Sequence, residues 1–550
     1  MLYQILFVFL AAAVLFDSND AAAPKPPTFG SRYHAKGFVQ LPYAELNEPF
    51  EIYFDGQKSM GRIDFYGGMD QAFYDGAKKP YGVAYEVYPT VKSKTSTTPE
   101  TTCLTMTGKK GSLIMPQSML PNLNGFKPNG QKLINGQMTD VWMMITNPKT
   151  AKVNTYMLYV SRGAKVRPVR YEMMGYDTLL GSHYDKYVID YSMFDDTTAF
   201  QASVFTPPKV CNVTLPSGIE NHIRVNPYQE LFNPELGDRY QHMFKEYKVK
   251  HGKVYADEEH EKRKVQFMHN VRLIHGNNRQ GLGFSLAVNH LADLFDDELR
   301  MMRGRRPSNR DDIGGAPFST EDFKIKTPPP SLDWRLNGSV SQVKDQAICG
   351  SCWSFGAAEV IEGAYFKKNG KMVRFSQQNL MDCSWGFGNM GCNGGEEFQA
   401  YEWVLANKGL MTEEAYGPYL GQDGKCHFDA SKAGVKLSNY TKVQSGNKTA
   451  LTLALANVGP IAVGIDAHLK TFSFYASGVY YDKACGNKPG DLDHAVLAVG
   501  YGTMIVDKKS TPYWIIKNSW STYWGNNGYV LMSQQDNNCG VATAATYVIL

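Results

Sequence analysis

Gln346-Ala347-Ile348-Cys349-Gly350-Ser351-Cys352-Trp353-Ser354-Phe355-Gly356 is the stretch on which the reading of this chain turns. A thiol is a useful nucleophile only as thiolate, so a catalytic cysteine needs a positive local field, a base, and donors for the oxyanion that its attack creates. The run from Trp353 to Phe366, rich in Ala, Glu and Ile, predicts a helix with Cys352 in its first turn. Unpaired N–H groups and the helix dipole favour a negative sulfur there. Gln346 stands six residues upstream, near enough to aim its amide N–H beside the Cys352 backbone N–H. An isolated cysteine would read as a buried structural residue. Two later stretches argue for more. Leu492-Asp493-His494-Ala495-Val496 opens an apolar run that predicts a strand, and Tyr513 to Trp520 predicts another that ends in a polar turn. His494 is then a candidate base, and the Asn518 amide a candidate partner that fixes its tautomer.

Together these stretches resemble the papain-like cysteine proteases. Cys349 to Trp353 fits the family pattern C-G-[SA]-C-[WY] with His and Asn far downstream. The resemblance, of cathepsin L type, covers roughly residues 235–550. It implies that residues 328–550 form an α+β protease domain of two lobes, a helical lobe built on the Cys352 helix and a β-barrel lobe carrying His494 and Asn518. It also implies an endopeptidase that hydrolyses peptide bonds through a thiolate–imidazolium pair and an acyl-enzyme. In that scheme Cys352 is the nucleophile, His494 the base and acid, Asn518 the orienter and Gln346 the oxyanion donor, with Trp520 shielding the His–Asn bond. By the same resemblance Gly394 and Gly395 offer bare backbone to an extended substrate. Glu396, Glu397, Gly464, Leu492, Ala495 and Ala544 then bound the S2 pocket. That pocket is mostly small or apolar, which favours a hydrophobic side chain. Glu396 and Glu397 depart from the apolar pair usual in the family and add tolerance for a basic one, unless both carboxylates face water. Ala347 replaces a usual Gly.

Residues 235–306 change period. Asp238 to Lys250 sets Tyr240, Met243, Phe244 and Tyr247 on one helical face, and Asp257-Glu258-Glu259 supplies a cap and acids to a second helix. Along that helix Glu259, Arg263, Phe267, Asn270, Ile274 and Asn278 fall on one stripe. A bare amphipathic helix would need none of these identities, whereas they match the Glu-Arg-Phe-Asn-Ile-Asn motif of cathepsin L-type propeptides. A second family motif is partly kept in Ala287, Asn289, Leu291 and Asp293. The resemblance implies an inhibitory propeptide that runs backwards through the cleft. Paired carboxylates such as Glu259 and Asp293 would lose charge below about pH 5–6 and let it go. Arg303-Gly304-Arg305-Arg306 resembles a convertase site, but Pro307 disfavours cleavage there. Residues 307–327 read as a linker, with the mature N-terminus near Pro328.

Residues 24–231 alternate apolar and polar positions with many aromatics, as in Phe50–Phe54, Val83–Tyr88, Val141–Ile145, Thr155–Val160 and Tyr187–Tyr191. This predicts an all-β N-terminal domain of about 200 residues. The long extension resembles that of insect haemocyte cathepsin L-like proteinases of two chains, which implies that the β domain is retained as a second chain. Residues 1–23 carry an apolar run too short to span a bilayer comfortably, followed by small residues. A signal peptide is the expectation and a membrane anchor the alternative.

The nine cysteines leave one odd thiol. The family resemblance pairs Cys349 with Cys392, Cys383 with Cys426 and Cys485 with Cys539, which leaves Cys103 and Cys211 for each other and Cys352 free. Asn212, Asn337, Asn439 and Asn447 head glycosylation triplets, which suits a secretory route to the lysosome or the exterior.

The net charge of +4 is dispersed, which argues against nucleic acid as a partner. No metalloprotease, EF-hand or P-loop motif occurs, so no metal or cofactor is expected. The expected partners are protein and peptide substrates and the chain's own propeptide. The competing reading is a binding protein whose β domain recognises a lipid, glycan or protein, with the protease as accessory. The complete set Gln346, Cys352, His494 and Asn518 favours the enzyme.

Overall fold

The structure, a computed structural model, describes residues 24–90, 100–146, 152–178, 181–209, 211–216, 218–233, 239–308, 314–506 and 509–550. The expected signal peptide and residues 309–313 of the expected linker lie outside them. Among the described residues no helix is long and apolar enough to cross a membrane.

Alternation in the first part builds two meanders. The first runs through β1 (Arg32–Leu41), β2 (Leu46–Asp55), β3 (Met60–Phe65), β4 (Asp70–Asp75), β5 (Val83–Thr90) and β6 (Glu100–Thr107). The second runs through β7 (Lys127–Ile134), β8 (Gln137–Thr146), β9 (Lys152–Ser161), β10 (Pro168–Asp177) and β11 (Ser182–Asp195). β11 folds back onto β1, so that both meanders form one twelve-stranded sheet, and β12 (Cys211–Leu215) adds to the β6 edge in parallel. A sheet of this size curls. Tyr33, Ile52, Ile63, Leu158, Tyr171 and Ile189 face inward from its strands. They pack on Tyr228, Leu231 and Phe232, from the short helices α1 (Ile219–Val225) and α2 (Gln229–Phe232) and the turn between them. The Tyr171 and Tyr187 hydroxyls donate to the Leu231 carbonyl at 3.2 and 2.8 Å. The sheet's inner face is therefore filled by its own chain. Between the sheet domain and the propeptide lies a cavity of about 620 Å³, lined by Asp70, Glu86, Arg224 and Arg279 and by the apolar Phe267, Ile274 and Leu286.

The propeptide follows as α3 (Arg239–Lys250), α4 (Asp257–Arg279), strand β13 (Phe284–Leu286) and α5 (Asp296–Met301). Asp257 does not cap α4: the N-cap is Ala256, without a side-chain bond, and Asp257 sits inside the first turn beside the helix dipole. The predicted stripe of α4 closes the propeptide's own core. Arg263 forks onto Glu298 at 2.5 and 2.6 Å, Phe267 packs on Phe244 and Tyr247, Asn270 donates to the Ala292 carbonyl and Asn278 to that of Leu286. Asp293, fully buried, accepts from Tyr247, Tyr255 and Lys253.

The protease has a helical lobe around α6 (Cys352–Asn369) and a sheet lobe. In the sheet the strands run Tyr475–Tyr480, Tyr529–Ser533, Lys509–Lys517, His494–Val506, Ile461–Ile465, Ala545–Ile549 and Asn439–Lys442. β13 of the propeptide pairs with the Tyr475–Tyr480 edge, so the propeptide is stitched into the enzyme by backbone bonds. Disulfides join Cys103–Cys211, Cys349–Cys392, Cys383–Cys426 and Cys485–Cys539, and Cys352 is the free thiol.

Candidate active site

Cys352 is the first residue of α6, so its sulfur stands at the end of the helix where N–H groups are unpaired. The two lobes meet at this point: the Ala495 N–H donates to Cys352 Sγ at 3.4 Å. The neighbouring His494 opens its strand, and its Nε2 donates to Asn518 Oδ1 at 2.8 Å. The other ring nitrogen, Nδ1, is buried without a hydrogen-bond partner and is the one left for the thiol. The Trp520 ring lies 4.7 Å from the imidazole and covers the His–Asn bond. Gln346 is held by Ser519, whose hydroxyl donates to Gln346 Oε1 at 2.6 Å, while Gln346 Nε2 donates to two carbonyls, Cys349 and the propeptide's Met302, each at 2.7 Å. A carbonyl oxygen of the propeptide thus already sits on the proposed oxyanion donor.

Burial sets the charge state of this pair. Removal from water pushes the Cys352 thiol up to about 12, against weaker lowering by the backbone bonds of Ala495 and Gly304. The same burial pushes His494 down to about 4, opposed by its bond to Asn518. In this closed form burial thus disfavours charge on both groups, and departure of the covering chain would relieve that penalty.

That covering chain is Arg303 to Ser308. Gly304 lies against Gly350 so closely that a Cβ would fall 1.8 Å from the Gly350 oxygen. Arg305 and Gly395 form a parallel bridge: the Gly395 N–H donates to the Gly304 carbonyl at 2.9 Å and the Arg306 N–H to that of Gly395 at 3.1 Å. A side chain at Gly394 is excluded as well, since its φ is +114° and a Cβ would stand 2.5 Å from the Gly304 oxygen. Arg305 is buried in the pocket between the lobes. Its Nη2 donates to Glu396 at 2.8 Å and Nη1 to the Leu492 carbonyl at 3.3 Å, its Nε is 3.6 Å from Glu397, and it rests against Gly464. Burial raises Glu397 above the usual carboxylate range, with Arg305 opposing. Arg303 pairs with Asp493 at 2.7 Å on the other side of Gly304.

The structure thus brings together Gln346, Cys352, His494, Asn518 and Trp520, and, around Arg305, Glu396, Glu397, Gly464 and Leu492. Ala495 lies at the thiol. Ala544 stands one step behind, its carbonyl accepting from the Gly464 N–H. Met302, Arg303, Arg305, Asp493 and Ser519 escaped the sequence reading. The basic cluster at 303–306 is the available signal; it resembles a convertase site that Pro307 disfavours, and the structure places Arg305, 6% exposed, inside the cleft. Ala347 adopts φ +54°, a left-handed conformation that favours the Gly it replaces. Of the glycosylation candidates, Asn337 is exposed, Asn439 and Asn447 are half-buried, and Asn212 lies within β12. The Asn447 side chain also caps the helix Lys448–Val458.

A thiol, an imidazole held by an amide and a carbonyl on an amide donor, all covered by a reversed chain, define the zymogen of a thiol peptidase. The profile of papain family cysteine proteases matches residues 328–549, and that of the cathepsin propeptide inhibitor domain (I29) matches residues 244–299. Digestive cysteine proteinase 2 of Homarus americanus is 41% identical over 313 residues, which are 55% of this chain and 93% of that protein. Cathepsin L2 of Homo sapiens is 41% identical over 307 residues, 55% of this chain and 90% of that one. Among solved structures, digestive procathepsin L 3 of the Tenebrio molitor larval midgut superposes with a TM-score of 0.51 at 36% identity, covering 57% of this chain and all of its own. The chain belongs to the papain family of cysteine proteases and is a cathepsin L-like enzyme made with its inhibitory propeptide. The sheet domain lies before both matched regions. The disulfides fit a secretory route.

Proposed function

We propose that Cys352, His494, Asn518 and Gln346 carry out peptide hydrolysis as follows. With the propeptide gone, His494 takes the Cys352 proton, and the thiolate attacks the scissile carbonyl carbon. The oxyanion accepts from Gln346 Nε2 and the Cys352 backbone N–H. His494 returns the proton to the leaving amine as the C–N bond breaks, which leaves a thioester. Water, deprotonated by His494, then attacks the thioester and frees the acid and the thiol. The observation that carries this reading is the Met302 carbonyl on Gln346 Nε2, a carbonyl oxygen seated where the oxyanion would form.

The S2 pocket accepts a basic side chain through Glu396 and Glu397 as well as an apolar one; the burial of Arg305 between them supports this. The segments at work are a signal peptide (1–23), the sheet domain (24–231), the inhibitory propeptide (235–306), the linker (307–327) and the protease (328–550). A cut near Pro328 leaves the sheet domain as a second chain, and the enzyme acts in the lysosome or outside the cell, with glycans at Asn212, Asn337, Asn439 or Asn447. The test is active-site titration with an epoxysuccinyl thiol inhibitor at about pH 4.5 and about pH 7, with Cys352→Ala alongside. Acid-dependent stoichiometric labelling of a fragment that starts near Pro328, absent from the variant, is expected. Labelling that persists in Cys352→Ala would refute the assignment.

A further inference from the structure

α4 carries a second stripe. Its family-like stripe faces the propeptide core, while His269, Arg272, Gly276 and Arg279, spaced three, four and three residues apart, face the sheet domain. At one end Arg279 forks onto Glu48 at 2.7 and 2.9 Å, and the Tyr228 hydroxyl closes on the same carboxylate. At the other end Arg272 reaches Asp185 at 3.0 Å and Glu230 at 3.6 Å. All four residues of the Arg279–Glu48 and Arg272–Asp185 pairs are buried. Between them Gly276 admits Leu46 so closely that a Cβ would stand 2.5 Å from its methyl group, and His269 Nε2 bonds the Tyr184 carbonyl at 3.1 Å.

Such a surface is specific. A buried carboxylate without its arginine is costly, so Glu48 and Asp185 demand two cations one helical heptad apart, with a gap for Leu46 between them. The sheet domain meets the protease differently. Glu45 pairs with Lys470 at 2.7 Å, and among the described residues no strand or helix of the sheet domain packs extensively against one of the protease.

We propose that the sheet domain is a clamp for the inhibitory helix. It binds the face of α4 that the propeptide core leaves free, and the unit that inhibits the protease is therefore residues 24–306, not the propeptide alone. Held by the sheet, α4 cannot unwind, so β13 and the segment 302–308 stay in the cleft. This rests on the protease reading above.

The test uses the full chain. Gly276→Leu should wedge α4 away from Leu46 without touching the other stripe, and Leu46→Ala in the same chain should make room again. At pH 7 the epoxysuccinyl inhibitor should label Cys352 in Gly276→Leu about tenfold faster than in the parent, on the scale of an overpacked contact, and the double variant should return toward the parent. Arg279→Gln, whose partners Glu48, Tyr228 and Phe65 all belong to the sheet domain, should shift labelling in the same direction and keeps the test open if the wedge fails to fold. Unchanged labelling in folded Gly276→Leu and Arg279→Gln would overturn the clamp. All variants should titrate fully after acid conversion; a chain that never labels would instead count against the protease reading.

Discussion

In the S2 pocket proposed above, single residues should decide a measurable property. Glu396 touches the Arg305 guanidinium directly, whereas Glu397 stands further off with its charge disfavoured by burial. Glu396→Gln should therefore lower kcat/KM for a dipeptide substrate with Arg at the second position by at least about tenfold, as for truncation of a buried charge pair, and leave the Phe substrate nearly unchanged. Glu397→Gln should do less. An unchanged Arg/Phe ratio in Glu396→Gln would mean that the pocket holds Arg305 only as part of the closed chain. Cys352, His494, Asn518 and Gln346 were legible because their chemistry demands those residue types in fixed local contexts. Ser519 was not, since a serine that steadies an amide has no pattern of its own. Arg305 was missed for a different reason: three arginines around a glycine carry the pattern of a convertase site, and only the course of the segment through the cleft shows that one of them is buried.

At the scale of elements, α4 was legible on one face. The six residues of its first stripe pack within the propeptide, where local spacing suffices, but the second stripe makes sense only once the sheet, far away in sequence, is opposite it. That second face changes the account of acid activation. The expected triggers were Glu259 and Asp293. The structure adds His269, pushed down to about 4 by burial, with Arg272 and Lys470 opposing its charge and Asp185 favouring it. His290 is likewise held at about 4 by burial. For His269 the folded value lies below the free value of 6.5, so a detached helix binds the proton first. The closed form then loses stability as pH falls from 6.5 to about 4, by up to about 3 kcal/mol for a shift of this size. His269→Asn can keep the bond to Tyr184 while removing the titration. Its zymogen should convert several-fold more slowly than the parent near pH 5 and at the same rate near pH 7, measured by the appearance of active sites. Equal rates at both values, together with faster conversion of Asp293→Asn, would return the trigger to the carboxylates.

For the whole molecule, alternation revealed strands but not their order. The β1–β11 contact that makes one sheet of two meanders joins residues about 150 positions apart, and nothing local encodes it. Nor does alternation show what covers the inner face, because the chain that fills it, Tyr228 to Phe232, lies outside the strands. Covalent connectivity leads to a further expectation. Cys103–Cys211 stays within the sheet domain, and the other three disulfides stay within residues 349–539, so nothing but the main chain ties the two ends together. A single cut in 307–327 should yield two chains that separate on a denaturing gel without reductant. In native size-exclusion at neutral pH they should elute together, because α4 remains in the sheet while β13 and Arg305 remain in the enzyme. Chains that part only on reduction would contradict the disulfide pairing. Chains that part at neutral pH without denaturant would show that the propeptide bridge needs the linker, and that the sheet domain holds its helix more tightly than the protease does.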